Sequence, residues 1–466
     1  MVPMSVEEIA KAVDGRLIGD AGSESRATTP VSDSRQAGPG SVFVAIRGER
    51  VDGHDFVAKT AGQGATVAIV DHEVKSDGLP QIVVKDTVDA LGELARYNIV
   101  RRRELDGDFD IIGLTGSVGK TTTKDMVAAV LGEKFKVLKT EGNLNNDIGV
   151  PMTLLRLNRE HEIAVLELGM NHAGEIDYLS DIVEPDVALI TNVGDSHIEF
   201  FGTREKILEA KSEIFHHARK DCFVVLNGDD PLLRSLEPKL SFETVWCGGG
   251  EGLDYRASDI VSDGRSHMTC RVKTPHMEGP VEIPALGEHM IYPTLMAMAV
   301  GEHFGLTEKE IVDGVLHFAP TKMRMNIIHR ADDITILNDT YNANPQSMRA
   351  AVEVLSNTKA EHKVAVLGDM FELGPLAPVL HAGVGEYLCK VGIDCLVAVG
   401  ELARHIYDAA KVSPLEEVYY CPDKDSAHSV LDKVIRPHTT VLVKASRGMA
   451  FEDLVEYLKS ITKEAE

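Results

Sequence analysis

The chain has 466 residues, 44% hydrophobic and 26% charged, which suits a soluble globular protein of about three domains at roughly 100–200 residues each. Its formal net charge of −25 excludes a nucleic-acid backbone as a natural partner. No apolar run approaches the ~18 residues of a membrane span, which leaves no membrane partner to expect. The N-terminus, "MVPMSVEEIA", has neither a basic start nor an apolar core, so no signal peptide is expected. Six scattered cysteines without a C-x-x-C pair fit a reduced cytoplasmic protein, not a disulfide framework or a zinc site.

Residues 1–100 mix strand-like runs at 41–46, 65–70 and 81–84 with one helical pattern at 87–100, the signature of a small α/β domain. The polar stretch 101–109 opens on "RRR" and reads as a solvated helix end beside a domain boundary. From 110 the rhythm is strand, helix, strand. "DIIGLT" is a strand, and in "KTTTKDMVAAVL" Met126, Val127, Val130 and Leu131 form one buried helical stripe. "EIAVLELG" (162–169), "VALITNVG" (187–194) and "CFVVLNGDD" (222–230) are near-continuous apolar strands, as in a mostly parallel sheet covered on both faces. Ligand residues gather at the carboxyl ends of such strands, here Glu167, Asn192, Asp195 and Asn227. "CGGGEG" (247–252) lacks a strand–helix context and reads as a loop. From about 318 a second alternating unit begins. Its strands are "ITILNDTY", "HKVAVLGDM", "CLVAVG" and "TTVLVKAS", with helices between or after them, a Rossmann-like sheet. The expected domains are 1–105, 106–318 and 319–466.

"TGSVGKTT" at 115–122 misses the strict phosphate-loop pattern only at Leu114, where a glycine is usual. The chemistry remains. Gly116 and Gly119 permit close backbone approach, and the amides of Gly116, Ser117, Val118, Gly119, Lys120, Thr121 and Thr122 lie at a helix N-terminus suited to an anion. Lys120 can reach terminal phosphates, and the Thr121 hydroxyl can ligate Mg2+.

A loop of the form T-G-[ST]-x-G-K-T with this missing glycine, in the middle of a chain, resembles the Mur ligase and folylpolyglutamate synthase superfamily. The resemblance runs along nearly the whole chain. It implies an N-terminal substrate domain, a central ATPase domain and a C-terminal Rossmann-like domain. "VSDSRQAGPGSVFVAIRGERVDGHDF" (31–56), "GNLNNDIGVP" (142–151), "LELGMNHAGEI" (166–176), "NDTYNANPQSM" (338–348) and "LGDMFELG" (367–374) resemble the Mur ligase branch that adds D-alanyl-D-alanine to a UDP-N-acetylmuramoyl-tripeptide. The Asp-Asn-Pro-Arg tetrapeptide of the branch adding a diamino acid is absent, because Gln346 follows Asn344-Pro345.

The resemblance implies ATP and Mg2+, an acyl-phosphate intermediate, and catalytic roles for Lys120, Glu167, His197 and Lys211. Thr121, Glu167, His197 and a carbamate on Lys211 would hold the metal. Arg324, Asp339 and Asn342 would meet the ATP ribose and phosphates. Asn145 and Asn146 are candidates for the muramoyl-peptide, and Ser34 and Arg35 for the uridine diphosphate. Lys444, Ser446 and Arg447 end a strand, where a cation could hold the dipeptide carboxylate. Without the resemblance, Lys211 reads as a solvated lysine, and the Asn and Arg candidates as helix caps or surface charges. The chain departs from the family where an adenine-reading pair of Asn residues is usual. "GEHMIYP" keeps Gly287 and His289 but carries Met290 and Pro293, an apolar wall, and "KMRM" keeps Arg324 but has Met323 in place of a glycine. A monomer is expected. Other readings are a related amino-acid ligase, a non-catalytic nucleotide-binding homologue, or a simple ATPase or kinase.

Overall fold

The apolar runs of the first hundred residues pair into a five-stranded sheet in the computed structural model, which describes every residue except 21, 23, 24, 49, 108, 413, 414, 416 and 462–466. Its order is Arg16–Ile18, Gln81–Val83, Val67–Val70, Ser41–Val44, Thr29–Val31, antiparallel only at the first pair. The chain forms two compact units: Met1–Thr115, Lys134–Leu189 and Ser212–Phe223 make one, and Gly116–Glu133, Ile190–Lys211 and Val224–Glu466 make the other. Among the described residues no helix is long and apolar enough to cross a membrane.

In the first unit, the helix expected at 87–100 runs from Thr87 to Asp106, capped by Asp86 on the amides of Val88 and Asp89. The basic run is therefore helical and is not a solvated end. Arg102 is buried and donates to the carbonyls of Asn158 and His161, both at 3.1 Å. A long cation can extend a helix into a carbonyl-lined slot, which composition does not reveal. Three parallel strands follow, with Ile163–Glu167 between Asp110–Thr115 and Val137–Lys139.

In the second unit, the helix Lys120–Gly132 buries the expected stripe of Met126, Val127, Val130 and Leu131. It packs on helices Ile291–His303 and Glu308–Leu316. A side chain at Gly314 would meet the Val130 Cα at 2.4 Å, so the helices approach backbone to backbone. Three antiparallel strands that sequence reading passed over, Tyr255–Ser262, Met268–Lys273 and Glu278–Ile283, form a meander. The strand Glu243–Gly248 runs into the glycine stretch, so Cys247 and Gly248 are strand, contrary to the loop expected over 247–252, and Asp229 explains the turn that begins at Gly249. Its carboxylate accepts from the amides of Gly249 (2.6 Å) and Gly250 (3.0 Å), so the loop's anion-binding amides are already occupied.

The C-terminal sheet has the order Asn326–His329, Thr335–Asn338, Thr439–Lys444, His362–Gly368, Cys395–Val399, Glu417–Cys421, parallel after the first strand. Val364, Val366, Val397, Val441 and Val443 sit fully inside its core. The strand Glu417–Cys421 and the Asp423-capped helix Lys424–Val434 were also missed. Three neighbouring parallel strands end side by side, so Asp339–Asn344, Asp369–Leu373 and Ala445–Gly448 emerge at one edge. This is where open α/β sheets place their ligands. The fold class is α/β with mostly parallel sheets.

Candidate active site

The phosphate loop is held from below by one asparagine. Ser117 N–H donates to the Asn192 carbonyl at 3.0 Å and Val118 N–H to its Oδ1 at 3.0 Å, while Asn192 Nδ2 returns a bond to the Val118 carbonyl at 2.9 Å. Asn192, read from sequence as a strand-end ligand, thus braces the loop. Gly116 is obligatory, because a Cβ there would lie 1.8 Å from Thr191 Oγ1, and Gly119 begins the helix at φ 81°. Lys120 Nζ donates to the Gly116 carbonyl at 2.8 Å. That carbonyl is a neutral acceptor, and a phosphate oxygen in the loop would be a stronger partner for the same ammonium.

Lys211, at the end of helix Arg204–Ser212, is only 2% exposed, which excludes a solvated lysine. Burial, and then the charge of Lys120, push its amine well below the usual lysine range. No carboxylate among the described residues forms an ion pair with it. His197 lies in the left-handed region at φ 62°, and its Nδ1 is 2.6 Å from Glu372 Oε2. Glu372 is also left-handed, at φ 61°. The His197 ring against it holds the Glu372 carboxyl below its usual range. Two non-glycine residues in strained conformations facing each other are a mark of a functional locus.

The third section supplies Arg324 and Asp339. The Arg324 guanidinium lies 3.9 Å over the Tyr341 ring and its Nη2 is 3.4 Å from Thr121 Oγ1. Its Nε is buried with no hydrogen-bond partner. Asp339 accepts from Lys444 Nζ at 2.5 Å and from the Met325 amide at 3.2 Å. Lys444 is buried and also donates to the Asn342 carbonyl at 2.9 Å. It is therefore a strut beneath the 339–342 turn, already spent on Asp339, and the reading of Lys444 as the holder of a dipeptide carboxylate fails. Arg447 remains half-exposed, with its guanidinium on Glu452 at 2.8 Å. Ser446 is buried, and its hydroxyl accepts from the Phe371 amide at 2.9 Å. Ser196, His197, Asn342, Phe371, Glu372 and Arg447 line one cleft.

Ser196, Tyr341, Phe371 and Glu372 were not singled out from sequence. Glu372 and Phe371 lay inside the quoted "LGDMFELG", but only the meeting of distant segments gives them partners. Met290 and Pro293 correct a second expectation. Both are buried, so neither forms an open apolar wall. What this stretch exposes is Glu288 and His289, and the Tyr292 hydroxyl sits 3.2 Å from Asp229 Oδ2.

In the first unit, Glu167 is buried at its strand end. Its Oε1 accepts from Asn145 Nδ2 at 2.9 Å, and its N–H donates to Thr140 Oγ1 at 3.0 Å. The Gly169 N–H donates to the Asn145 carbonyl at 2.7 Å, so Asn145 orients the carboxylate from both sides of the turn. Asn146 behaves as a cap, its Oδ1 taking the N–H of Gly149 at 2.9 Å. Ser34 is buried in a short turn, while Arg35 is exposed and paired with Asp33 at 2.6 Å, which holds the Asp33 carboxyl down at about 2.

Comparison with known proteins matches three family profiles in order along the chain. The Mur ligase family catalytic domain covers residues 31–98, the Mur ligase middle domain 114–301, and the Mur ligase glutamate ligase domain 323–447. The UDP-N-acetylmuramoyl-tripeptide–D-alanyl-D-alanine ligase of Bacillus subtilis is 36% identical over 98% of this chain and 99% of its own length. The enzyme of the same name from Escherichia coli is also 36% identical, over the same shares. Crystal structure I of MurF from Acinetobacter baumannii superposes with a TM-score of 0.90 at 36% identity, covering 98% of this chain and 99% of that one. MurF ligase from Thermotoga maritima, in complex with ADP, gives 0.82 at 30% identity, covering 93% and 97%. With profiles, relatives and structures agreeing along almost its entire length, the chain belongs to the Mur ligase family.

Proposed function

We propose that this protein joins D-alanyl-D-alanine to a UDP-N-acetylmuramoyl-tripeptide at the expense of ATP, giving ADP and phosphate. The observation that carries the reading is a braced phosphate loop in the same unit as a cleft built from "NANPQ" and "GDMFELG". Residues 1–105 would take the uridine end, 106–318 the ATP, and 319–466 the amine, in a monomer working in the cytoplasm.

A carboxylate cannot be aminated directly, because the oxygen that must leave is a poor leaving group. The tripeptide's terminal carboxylate attacks the ATP γ-phosphorus. The bond to the ADP oxygen breaks, and an acyl phosphate forms. The dipeptide amine, having lost its proton, then attacks the acyl carbon. A C–N bond forms and phosphate leaves with the C–O electron pair. Phosphoryl transfer needs position and charge neutralisation above all. Lys120 and the loop amides meet the terminal phosphates, and Arg324, stacked on Tyr341, offers its buried Nε and its Nη atoms to the nucleotide. Asp339 and Asn342 face the ribose. Arg447 supplies the cation for the dipeptide carboxylate, Asn145 and Asn146 meet the muramoyl-peptide, and Ser34 and Arg35 meet the uridine diphosphate.

Mg2+ fits the donor set. Lys211, buried beside a second lysine, is the kind of amine that carbon dioxide converts to a carbamate, turning a buried neutral amine into an anionic ligand with loss of a proton. Thr121, His197 and the carbamylated Lys211 are the proposed ligands in one unit and Glu167 the proposed ligand in the other; the ions, when bound, would neutralise charge on the transferring phosphoryl group. The test is phosphate release from ATP with the UDP-muramoyl-tripeptide, with and without D-alanyl-D-alanine, and with single amino acids as competing amines. Release should require the dipeptide. Equal release with a single amino acid, or with no amine, sinks the assignment.

A further inference from the structure

A chain of hydrogen bonds runs from the phosphate loop to the cleft. Ser196 Oγ donates to the Ser117 carbonyl at 3.1 Å, and Asn344 Nδ2 donates to Ser196 Oγ at 2.7 Å. Asn344 is also the N-cap of the helix Pro345–Ser356. Its Oδ1 accepts from the Ser347 amide at 2.8 Å, and the Ser347 hydroxyl accepts from the Asn344 N–H at 3.1 Å. The cap fixes which way the amide faces. With its oxygen on Ser347, its NH2 has to point at Ser196. Ser196 has one hydroxyl proton, and the Asn344 amide occupies its oxygen, so that proton is directed to the loop. Both residues line the cleft.

We infer that Ser196 and Asn344 are positioning residues, a relay that sets the cleft wall at residues 343–344 against the ATP loop. The inference rests on the reading of that loop as the ATP site and the cleft as the dipeptide site. Neither residue touches the reacting atoms by this argument. Their task is to hold the amine's wall at a fixed distance from the loop where the acyl phosphate forms. A misplacement of about 1 Å between reacting groups costs on the order of 10²-fold in rate. Ordinary cap physics makes no such demand. A cap needs only the Oδ1–Ser347 bond, which many residues supply.

The experiment separates the two jobs of Asn344. Asn344→Ser still caps the helix and adds no charge, but is too short to reach Ser196. Ser196→Ala removes the relay at its centre, and Ser196→Thr restores a hydroxyl. With the whole protein, ATP and UDP-muramoyl-tripeptide held saturating, D-alanyl-D-alanine is varied, and the ATP KM and Tm are recorded for each variant. Ser196→Ala and Asn344→Ser should each lose about tenfold or more in kcat/KM for the dipeptide, with the ATP KM within about threefold and Tm within a few degrees of wild type. The double variant should be no worse than the weaker single, since both break one chain, and Ser196→Thr should stay near wild type. A wild-type rate in either single variant overturns the relay. So do losses that multiply in the double variant, and losses that simply track a falling Tm. If the wild-type protein itself shows no dipeptide-dependent phosphate release, the functional reading fails first and the relay with it.

Discussion

Two lysines carry the proposed chemistry at the residue scale. Lys120 donates to the Gly116 carbonyl, and Lys211 is buried with no carboxylate among the described residues paired to it. Lys120→Ala should lower turnover on the order of 10²-fold or more, because a preorganised cation acts where charge develops, while Tm changes little. Retention of more than about a tenth of the rate would remove Lys120 from the mechanism. Lys211 should carry a carbamate in the working enzyme. An amine driven toward its neutral form by burial and by Lys120 is the nucleophile that carbon dioxide requires. Mass spectrometry after trapping should find one added carbon dioxide on Lys211, and Lys211→Ala should be nearly inactive and partly rescued by small carboxylates. A bare amine in fully active protein would end this idea.

At the element scale, the segment before Arg324 holds its shape against its own sequence. Met323 sits at φ 62° and Met325 at φ 51°, where side chains are disfavoured by roughly 1–2 kcal/mol per residue. Tyr341 N–H donates to the Met323 carbonyl at 3.2 Å, Met325 N–H donates to Asp339, and the Thr321 hydroxyl donates to Asp125 at 2.5 Å, so the segment is tied at both ends. Met323→Gly should therefore raise the unfolding free energy, by about 0.5–1 kcal/mol once glycine's greater backbone entropy is counted. Urea denaturation measures it, and a destabilised variant would mean that the Met323 side chain packs more usefully than its backbone is strained. Such strain shows in sequence only through the family pattern, which has a glycine where this chain carries Met323. The strand–loop–helix at 110–132 was legible because every level agreed: apolar run, glycines, Lys-Thr, then a 3.6-residue stripe. The meander was not, although "MTCRVK" alternates cleanly, because Tyr255–Ser262 shows few buried positions to match it. The candidate site was half legible. Arg324, Asp339 and Asn342 could be carried from the family pattern. The Ser196–Asn344 and His197–Glu372 contacts join positions 148 and 175 residues apart, and no local pattern encodes them.

For the whole molecule, the net charge of −25 poses a problem, since ATP and a UDP-muramoyl-peptide are both polyanions. Opposing the global field are a few cations in the second unit, and several are already engaged. Lys444 is paired with Asp339, Arg447 with Glu452, and Lys211 is pushed toward neutrality. Lys120 and Arg324 act at contact distance, whereas the global charge acts over tens of ångströms. Salt screens the second before the first, because the Debye length shortens to ~10 Å at about 0.1 M. Association of ATP should therefore quicken as salt rises from ~20 to ~200 mM, with the Debye length falling below the dimensions of the protein. The dissociation rate should change less, since it reports the short contacts made by the loop amides and Lys120. Stopped-flow mixing with a fluorescent ATP analogue resolves the two rate constants. An association rate that falls steeply with salt would show that local cations, not the −25 background, govern the approach.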